Sequence, residues 1–250
     1  MENEIRSNLD DIKRRFTEIR NKREMEEYGR ILTDEERVII EQEEDKKQRE
    51  IELAEKEKQQ AEQLQELKKK WYYSVPLRFR ESSFENFECA NSKQKAVVEY
   101  LKTGKSAVIY GSNGTGKTHL AFATCRNQVK QGINAGYILA FDFFNKIRKS
   151  FSDGTTEDVM NRYSNYQLLV IDEIDKTQGT QTEFMYLYSL INERYNYMRS
   201  TILITNAKPD EFAAIIGQSA LDRVASEGKV IDLTGENYRQ RKSLHSLKKE

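Results

Sequence analysis

The chain has few of the residues on which secreted and zinc-binding proteins depend. Its 250 residues include two cysteines, two histidines and two prolines. Cys89 and Cys125 fit a reduced interior, and with so few histidines they cannot complete a structural zinc site. We expect His119 and His245, which lie far apart in the sequence, to be hydrogen-bonded within the fold or solvated.

Long apolar runs are also missing. No stretch approaches the ~18 apolar residues that a membrane span needs. The acidic N-terminus lacks the apolar segment that is typical of secretory signals. We therefore expect neither a membrane protein nor a secreted one, but a cytoplasmic protein.

The chain carries no net charge, with 41 basic and 41 acidic residues. It therefore exerts no overall attraction on DNA or membranes, and nucleic-acid binding would need a local basic patch. The charges are concentrated at one end, because residues 1–70 hold 17 basic and 21 acidic residues. That segment is too polar to build a large core, so the composition predicts one conventional domain preceded by a highly charged arm.

No glycine occurs between Gly29 and Gly104, which favours long helices in the arm. Thr33 and Glu36 have the spacing of a capping box, which predicts a helix from there to about Lys70. Before it, apolar residues recur at alternating spacings of four and three, which predicts an amphipathic helix over residues 4–24. These residues are Ile5, Leu9, Ile12, Phe16 and Ile19.

Several interpretations of the arm stay open. Residues 34–70 have the pattern of a solvated helical spacer, or of a coiled coil that self-associates weakly. The stripe in residues 4–24 is typical of a helix that docks into the groove of a partner protein. It is equally typical of a helix that packs against the second one as an intramolecular hairpin.

An aromatic cluster, Trp71 to Tyr73, is followed by Arg78 and Arg80 at the end of the arm. Aromatic residues beside arginines can stack on the bases of single-stranded nucleic acid. Such a cluster more often packs a linker onto the domain that follows it.

From about residue 84, short apolar runs alternate with segments long enough for helices. This alternation predicts an α/β fold with a parallel sheet and helices on both faces. The predicted strands are Ser106–Tyr110, Ala135–Ala140, Gln167–Ile171, Thr201–Thr205 and Lys229–Leu233.

A phosphate-binding motif, G-x-x-x-x-G-K-T, lies between the first strand and a helix predicted from Thr118 to about Lys130. Its glycines let backbone N–H groups surround phosphates, and the following helix N-terminus favours their negative charge. Lys117 would contact the β- and γ-phosphates of ATP, and the Thr118 hydroxyl would ligate Mg²⁺. The motif consists of Gly111, Ser112, Asn113, Gly114, Thr115, Gly116, Lys117 and Thr118.

Acidic residues follow another buried strand, where ligands of parallel sheets bind. Asp172 is placed to hold Mg²⁺ directly or through water, and Glu173 to orient and deprotonate the attacking water. Asp175 is expected to be solvated. Asn206 ends a further strand and is a candidate to hydrogen-bond the attacking water or the γ-phosphate.

These motifs together resemble the AAA+ ATPases of the DnaC-type helicase-loader group, which also includes the IstB-like transposition helpers. The similarity covers about residues 80–242, and implies a P-loop NTPase fold. With it the chain divides into a helical arm (1–70), a linker (71–83), an ATPase domain (84–242) and a basic tail (243–250). The segments that carry the resemblance are SFENF at 83–87, YGSNGTGKTHLA at 110–121, LLVIDEID at 168–175 and TILITN at 201–206.

The resemblance also implies roles that the motifs do not show. Arg223 matches an arginine finger that acts on the ATP of a neighbouring subunit, and either Arg239 or Arg241 matches a second nucleotide sensor. The segment 141–166 corresponds to helices that contact DNA in the family. Its interleaved phenylalanines, lysines and arginines are equally consistent with an amphipathic helix whose phenylalanines pack inward.

The resemblance implies an Mg²⁺-dependent ATPase that loads a replicative DNA helicase and is stimulated by DNA and by neighbouring subunits. The arm, residues 1–70, would hold the helicase, the ATPase domain would bind single-stranded DNA, and the protein would self-associate or assemble on the helicase. One alternative is an IstB-like transposition helper that acts on double-stranded DNA. Another is an adaptor whose nucleotide site is regulatory.

Overall fold

The computed structural model describes residues 2–235, 237 and 238, with side chains from Lys13 onward. The chain forms two compact units, residues 1–61 and residues 62–250. No helix in this described part of the chain is long and apolar enough to cross a membrane.

The first unit is helical, as predicted. It contains α1 (Glu2–Tyr28) and most of α2 (Asp34–Ser74). The predicted capping box begins α2: the Thr33 amide donates to Glu36 Oε2 over 2.9 Å, and the Glu36 amide donates to Thr33 Oγ1 over 3.3 Å. α2 ends four residues later than expected, so Trp71 to Tyr73 are helical.

An ion pair fixes the corner between α1 and α2. Arg37 donates to the buried Glu24 carboxylate through Nε over 2.6 Å, and the Leu32 amide donates to the same carboxylate over 2.9 Å. Phe16 and Ile19 of the apolar stripe nevertheless stay 70% and 65% exposed. The corner therefore exists, but the hairpin interpretation does not account for these two residues of the stripe.

The second unit is built on the predicted parallel sheet. Its strand order is β2-β3-β4-β1-β5, and every neighbouring pair is parallel. The predicted strands all form, with ends that differ by no more than one residue. Their bounds are β1 Ser106–Tyr110, β2 Ala135–Leu139, β3 Leu168–Asp172, β4 Ser200–Thr205 and β5 Gly228–Asp232.

Helices cover both faces of the sheet, so successive side chains of a buried strand point alternately into two apolar clusters. In β3, Leu168 and Val170 face one cluster, whereas Leu169 and Ile171 face the other. The helices are α3 Ser92–Lys102, α4 Lys117–Lys130, α5 Ala140–Asp153, α6 Thr156–Ser164, α7 Gln181–Asn196, α8 Pro209–Ile216 and α9 Gln218–Ser226.

A buried arginine fastens the end of α6 to the start of β4. The Arg194 guanidinium donates to the carbonyls of Tyr163, Ser164 and Tyr166 and to Thr201 Oγ1. Burial lowers the pKa of this guanidinium to about 9, so it remains charged at neutral pH. No motif in the sequence pointed to this residue.

The aromatic cluster at the end of α2 divides between packing and exposure. Trp71 packs within the second unit, with its ring centroid 6.2 Å from that of Phe122. Tyr72 and Tyr73 are exposed, and the Arg80 guanidinium lies 4.7 Å from the centroid of the Tyr72 ring. The packing interpretation thus holds for the tryptophan.

Candidate nucleotide-binding site

The phosphate loop connects β1 to α4 and needs glycine where the backbone is crowded. Gly116, which precedes α4, has a φ of 96°, and a Cβ there would lie 2.6 Å from the Phe87 ring. Gly111 is equally restricted, because a Cβ would lie 2.5 Å from the Leu233 carbonyl oxygen. A larger residue at either position would push the loop away from these neighbours.

The SFENF segment positions Phe87 through a turn that its own side chains stabilise. The Ser83 amide donates to Asn86 Oδ1 over 3.0 Å, and the Asn86 side chain donates to the Glu81 carbonyl over 2.7 Å. Phe87 then packs against Gly116 and lies 5.7 Å from the His119 ring. His119 contacts the Ser83 carbonyl oxygen over 2.9 Å, so it is hydrogen-bonded within the fold, as expected.

Lys117 is buried at the first turn of α4, with 8% of its surface exposed. Its ammonium donates to the carbonyl oxygens of Gly111 and Ser112 over 2.7 and 2.8 Å. It also donates to Asn206 Oδ1 over 2.8 Å. The lysine therefore links the phosphate loop to the end of β4, at the position from which it would contact phosphates.

Asp172 ends β3 and is 2% exposed. Its Oδ2 accepts hydrogen bonds from Thr118 Oγ1 over 2.8 Å and from the Tyr137 hydroxyl over 2.9 Å, while Oδ1 accepts from the Glu173 amide over 2.7 Å. Burial raises the pKa of the Asp172 carboxyl above its ordinary value, although these donors oppose that rise. Burial beside Asp172 raises the pKa of the Tyr137 hydroxyl as well.

Asp175 is not solvated, and the expectation from the sequence was wrong. Its Oδ1 accepts from Thr205 Oγ1 over 3.0 Å and from the Asn206 amide over 2.8 Å, and its Oδ2 accepts from Asn206 Nδ2 over 2.9 Å. Burial favours a higher pKa for Asp175, but the hydrogen bonds from Asn206 and Thr205 outweigh it and lower the pKa. Asp175 therefore fixes which way the Asn206 amide points.

Glu173 has a strained backbone and a paired side chain. Its φ of 58° lies in the left-handed region that non-glycine residues seldom adopt, and it precedes a short 3-10 helix, Ile174–Lys176. Lys176 Nζ donates to Glu173 Oε1 over 2.6 Å. The carboxylate is half-exposed at the edge of the same cavity as Lys117 and Asp172.

A cavity of about 470 Å³ brings most of the predicted residues together. From the sequence prediction, its lining includes Asn113, Gly114, Gly116, Lys117, Thr118, Asp172, Glu173 and Asn206. It also includes Arg78, Phe79 and Tyr238, which the sequence did not indicate because they come from distant segments. The Tyr238 amide donates to the Gly114 carbonyl over 3.0 Å and so brings the C-terminal segment to the loop.

The donors around the cavity fit a magnesium nucleotide. Thr118 Oγ1 and the Asp172 carboxylate are hard oxygen ligands of the kind that Mg²⁺ prefers. Within the described part of the chain, no group of three or more His, Cys, Asp and Glu is arranged to hold a metal by itself. This arrangement suits an ion that takes its remaining ligands from phosphates and water.

Arg223 does not line this cavity. It lies on α9, where its guanidinium donates to the Ser219 carbonyl over 3.0 Å and sits 5.2 Å from the centroid of the Tyr188 ring. Its predicted role as a finger for a neighbouring subunit's ATP therefore stays a prediction. Arg239, Arg241, His245 and the basic tail at 243–250 lie outside the described residues, so their predicted positions stay predictions.

Helix α5 shows the inward packing considered for residues 141–166, and the DNA-contact alternative stays a prediction. Phe143 and Phe144 are buried in the core, as an inward-packing helix requires. Phe151 is exposed, and it lines a second cavity, of about 490 Å³, together with Arg148 and Tyr186. The exposed face also carries Lys146 and Lys149.

Comparison with known proteins agrees with this geometry. The profile of a family described as IstB-like ATP binding protein matches residues 39–246. The replicative helicase loader DnaC of Escherichia coli strain K12 is 35% identical over 156 residues, which cover 57% of this chain and 62% of that protein. The insertion sequence IS232 putative ATP-binding protein of Bacillus thuringiensis subsp. berliner is 28% identical over 147 residues, which cover 57% of this chain and 58% of that protein. The matched region is thus less than two thirds of either relative.

Among solved structures, a crystal structure of the DnaC helicase loader matches with a TM-score of 0.58 at 20% identity. The match covers 63% of this chain and 99% of that chain. At this identity the likeness is one of fold.

Proposed function

The chain belongs to the family of IstB-like ATP binding proteins, and within it we propose that this protein is an ATP-dependent loader of a replicative DNA helicase. Its sheet is that of the AAA+ P-loop NTPases, as the sequence predicted. The observation that carries the proposal is the 35% identity over 156 residues to the DnaC loader of Escherichia coli. The charged helical arm that precedes the ATPase domain is consistent with it.

In the proposed mechanism, binding and hydrolysis use different residues of the cavity. Lys117 would exchange its hydrogen bonds to the loop carbonyls for bonds to the β- and γ-phosphates. Thr118 and Asp172 would hold Mg²⁺, which neutralises charge on the phosphates when it is bound. Asn206, oriented by Asp175, would hydrogen-bond the γ-phosphate or the attacking water.

Glu173 would orient and deprotonate that water. Lys176 Nζ pairs with Oε1 of this carboxylate over 2.6 Å, so the water would bind at Oε2. Arg223 would complete the site of a neighbouring subunit, where a finger stabilises the charge of the transferred phosphoryl group.

We assign helicase binding to the arm. Phe16 and Ile19 lie one turn apart on α1 and present two large apolar side chains to solvent. An amphipathic helix with such anchors binds in an apolar groove of a partner protein. Single-stranded DNA would bind at α5, where Lys146 and Lys149 supply charge and Phe151 a stacking surface.

The experiment that tests the proposal mixes the full chain with the replicative helicase of its host in the presence of ATP. We expect light scattering to detect a complex, and the double variant Phe16→Glu, Ile19→Glu to lose it. Leu53→Glu is the matched control, because Leu53 is another exposed apolar residue of the arm but lies outside the stripe. A double variant that binds as tightly as the wild type would contradict the role of the stripe.

A second candidate is a transposition helper, which the 28% identity to the IS232 ATP-binding protein favours. This function predicts ATP-dependent binding to double-stranded DNA and no complex with the helicase. The zero net charge argues against it, since coating duplex DNA requires many contacts with phosphates. Sedimentation with duplex DNA, in parallel with the helicase assay, separates the two functions.

A further inference from the structure

A stack of aromatic rings connects the end of α2 to the nucleotide site. The Phe122 ring, in the middle of α4, lies 4.8 Å from the Phe79 ring with the planes inclined by only 15°. The Phe122 centroid also lies 4.1 Å from that of Tyr137, and the Trp71 ring is 6.2 Å away. All four residues belong to the second unit of the chain.

The last ring of the stack reaches the metal-binding carboxylate. Tyr137 lies on β2, next to β3, and its hydroxyl donates to Asp172 Oδ2 over 2.9 Å. The same oxygen accepts from Thr118 Oγ1. The hydroxyl hydrogen of Thr118 is thereby directed to Asp172, which leaves the oxygen lone pairs of Thr118 free to face a metal ion.

The two donors on Oδ2 and the Glu173 amide on Oδ1 hold the carboxylate plane in one orientation. Of these donors, only Tyr137 is neither in the phosphate-loop motif nor adjacent to Asp172 in sequence. Its ring is held in turn by Phe122. The orientation of Asp172 therefore depends on how the aromatic stack is packed.

We propose that Tyr137 is a positioning residue for the metal-binding carboxylate of Asp172, and that the stack from Trp71 through Phe122 makes metal binding and the packing of the end of α2 depend on each other. The inference rests on the proposed binding of Mg-ATP, and it adds a way in which that binding is regulated. Coupling of this kind is reciprocal: if metal binding alters the packing of Trp71, a partner that alters this packing changes metal affinity by the same factor. The affinity of the site for metal would thus change when the packing of Trp71 at the end of α2 changes.

The first test replaces Tyr137→Phe, which removes the hydroxyl and keeps the ring in the stack. Loss of an outer partner of a metal ligand lowers metal affinity by about 10-fold or more. We expect the Mg²⁺ concentration for half-maximal binding to the ATP complex to rise by about that factor. ATP affinity in EDTA, measured by calorimetry, should not change.

Tyr100→Phe is the matched control for this substitution. Tyr100 packs against the same apolar cluster, and its hydroxyl donates to the Ser106 carbonyl over 2.7 Å, at the opposite end of β1 from the phosphate loop. A general cost of losing a half-buried tyrosine hydroxyl would appear in both variants. If the Mg²⁺ concentration for half-maximal binding rises in Tyr137→Phe alone, the positioning role is supported. A wild-type Mg²⁺ dependence in that variant overturns it.

The second test uses Trp71, the only tryptophan in the chain. Excitation at wavelengths that tyrosine does not absorb reports on this one ring. We expect its emission to change when Mg²⁺ is added to the ATP-bound protein, and to change much less in Tyr137→Phe at metal saturation. Tyr100→Phe should respond as the wild type does.

If Trp71 emission in the wild-type protein does not change when Mg²⁺ is added, the proposed link between metal binding and the end of α2 is overturned, whatever the first test gives. Failure of the proposed function gives a different result. In that case the wild-type protein would not bind Mg-ATP in calorimetry, which overturns the proposed function and this inference together. A wild-type protein that binds Mg-ATP while Tyr137→Phe behaves identically refutes the inference alone.

Discussion

Lys117 and Glu173 occupy the same cavity but have separate tasks in the proposed mechanism. The lysine is buried among loop carbonyls, where phosphates would take their place, whereas the half-exposed glutamate pairs with Lys176. One substitution should therefore remove binding, and the other only the chemical step.

We expect Lys117→Ala to abolish ATP binding in calorimetry. Glu173→Gln should bind ATP with near wild-type affinity and lose hydrolysis by at least about 100-fold, since general-base catalysis contributes about 10²–10⁴-fold. Phosphate release assays measure the second effect. Normal turnover in Glu173→Gln would remove this residue from the catalytic role.

Asp175 acts on Asn206 through a specific pattern of donors and acceptors. Its Oδ2 accepts from Asn206 Nδ2, which leaves Asn206 Oδ1 to accept from Lys117. An asparagine at position 175 that kept its oxygen on the Asn206 backbone amide would place an NH₂ group against Asn206 Nδ2. If the Asn206 amide turned to avoid this clash of donors, it would present its own NH₂ group to the lysine.

Asp175→Asn should therefore lower the rate of ATP hydrolysis by about 10-fold, the effect of about 1.4 kcal/mol, as for one misplaced hydrogen bond to a charged group. ATP affinity should change less than the rate. Thr205→Val is the control, because it removes one donor to Asp175 and leaves the Asn206 pattern intact. Equal rates in Asp175→Asn and the wild type would show that the orientation of Asn206 does not matter.

At the scale of secondary-structure elements, the corner between α1 and α2 depends on the ionisation of Glu24. The hydrogen-bonded Arg37 guanidinium lowers the pKa of this carboxyl to about 2, from an ordinary value of 4.5. A carboxyl whose pKa is lower in the folded state contributes stability above its ordinary pKa and loses it as the pH falls toward the folded value. The ion pair should thus support the corner fully at neutral pH.

We expect the corner to loosen between about pH 4.5 and pH 2. NMR titration of the Glu24 carboxyl should give a midpoint well below its ordinary value of 4.5. Glu26, whose pair with Lys22 is exposed, is the matched control for substitution. At pH 7, Glu24→Ala should expose the Leu32 amide to hydrogen exchange, and Glu26→Ala should not. A Leu32 amide that stays protected in Glu24→Ala would contradict the role of the carboxylate.

At the scale of the whole molecule, the fold was predictable because its signals are local. Each strand of the sheet is a short apolar run, and the phosphate loop is a continuous motif between a strand and a helix. The strand order was not predictable from these runs. As a result, the sequence did not predict that β2 pairs with β3, the pairing that brings Tyr137 to Asp172. Tyr137 therefore looked like any other residue of an apolar strand.

The same limitation applies to the residues that connect distant segments. Asp175 looked solvated because its partners, Thr205 and Asn206, lie 30 and 31 residues away. Arg194 looked like an ordinary charge on a helix, yet it is buried on carbonyls of another segment. Polar residues whose partners are far away in sequence carry no periodicity and no motif.

The position of Arg223 outside the cavity of its own chain makes a prediction about assembly. If the finger acts on a neighbouring subunit, Arg223→Ala should retain ATP binding and lose about 10³-fold or more in hydrolysis. Mixing it with Lys117→Ala should restore part of the activity, because one variant supplies the intact site and the other the finger. Mixing Arg223→Ala with the double variant Lys117→Ala, Arg223→Ala should restore no activity.

Phosphate release from the mixtures, compared with each variant alone, measures this recovery. Wild-type turnover in Arg223→Ala would exclude the arginine from catalysis. An inactive Arg223→Ala whose activity does not return in any mixture would show that it does not act between subunits.

The strand order has a consequence for how the chain is made. β1 is the first strand to be synthesised, but it lies between β4 and β5, the last two. At about 5–20 residues per second, a ribosome takes roughly 6 to 24 seconds to add the residues from Tyr110 to Asp232. Through most of that interval β1 has unpaired edges, while the arm, with contacts that are local in sequence, has been free to fold. In the proposed function, the helicase would therefore be able to bind the arm before the parallel sheet is complete.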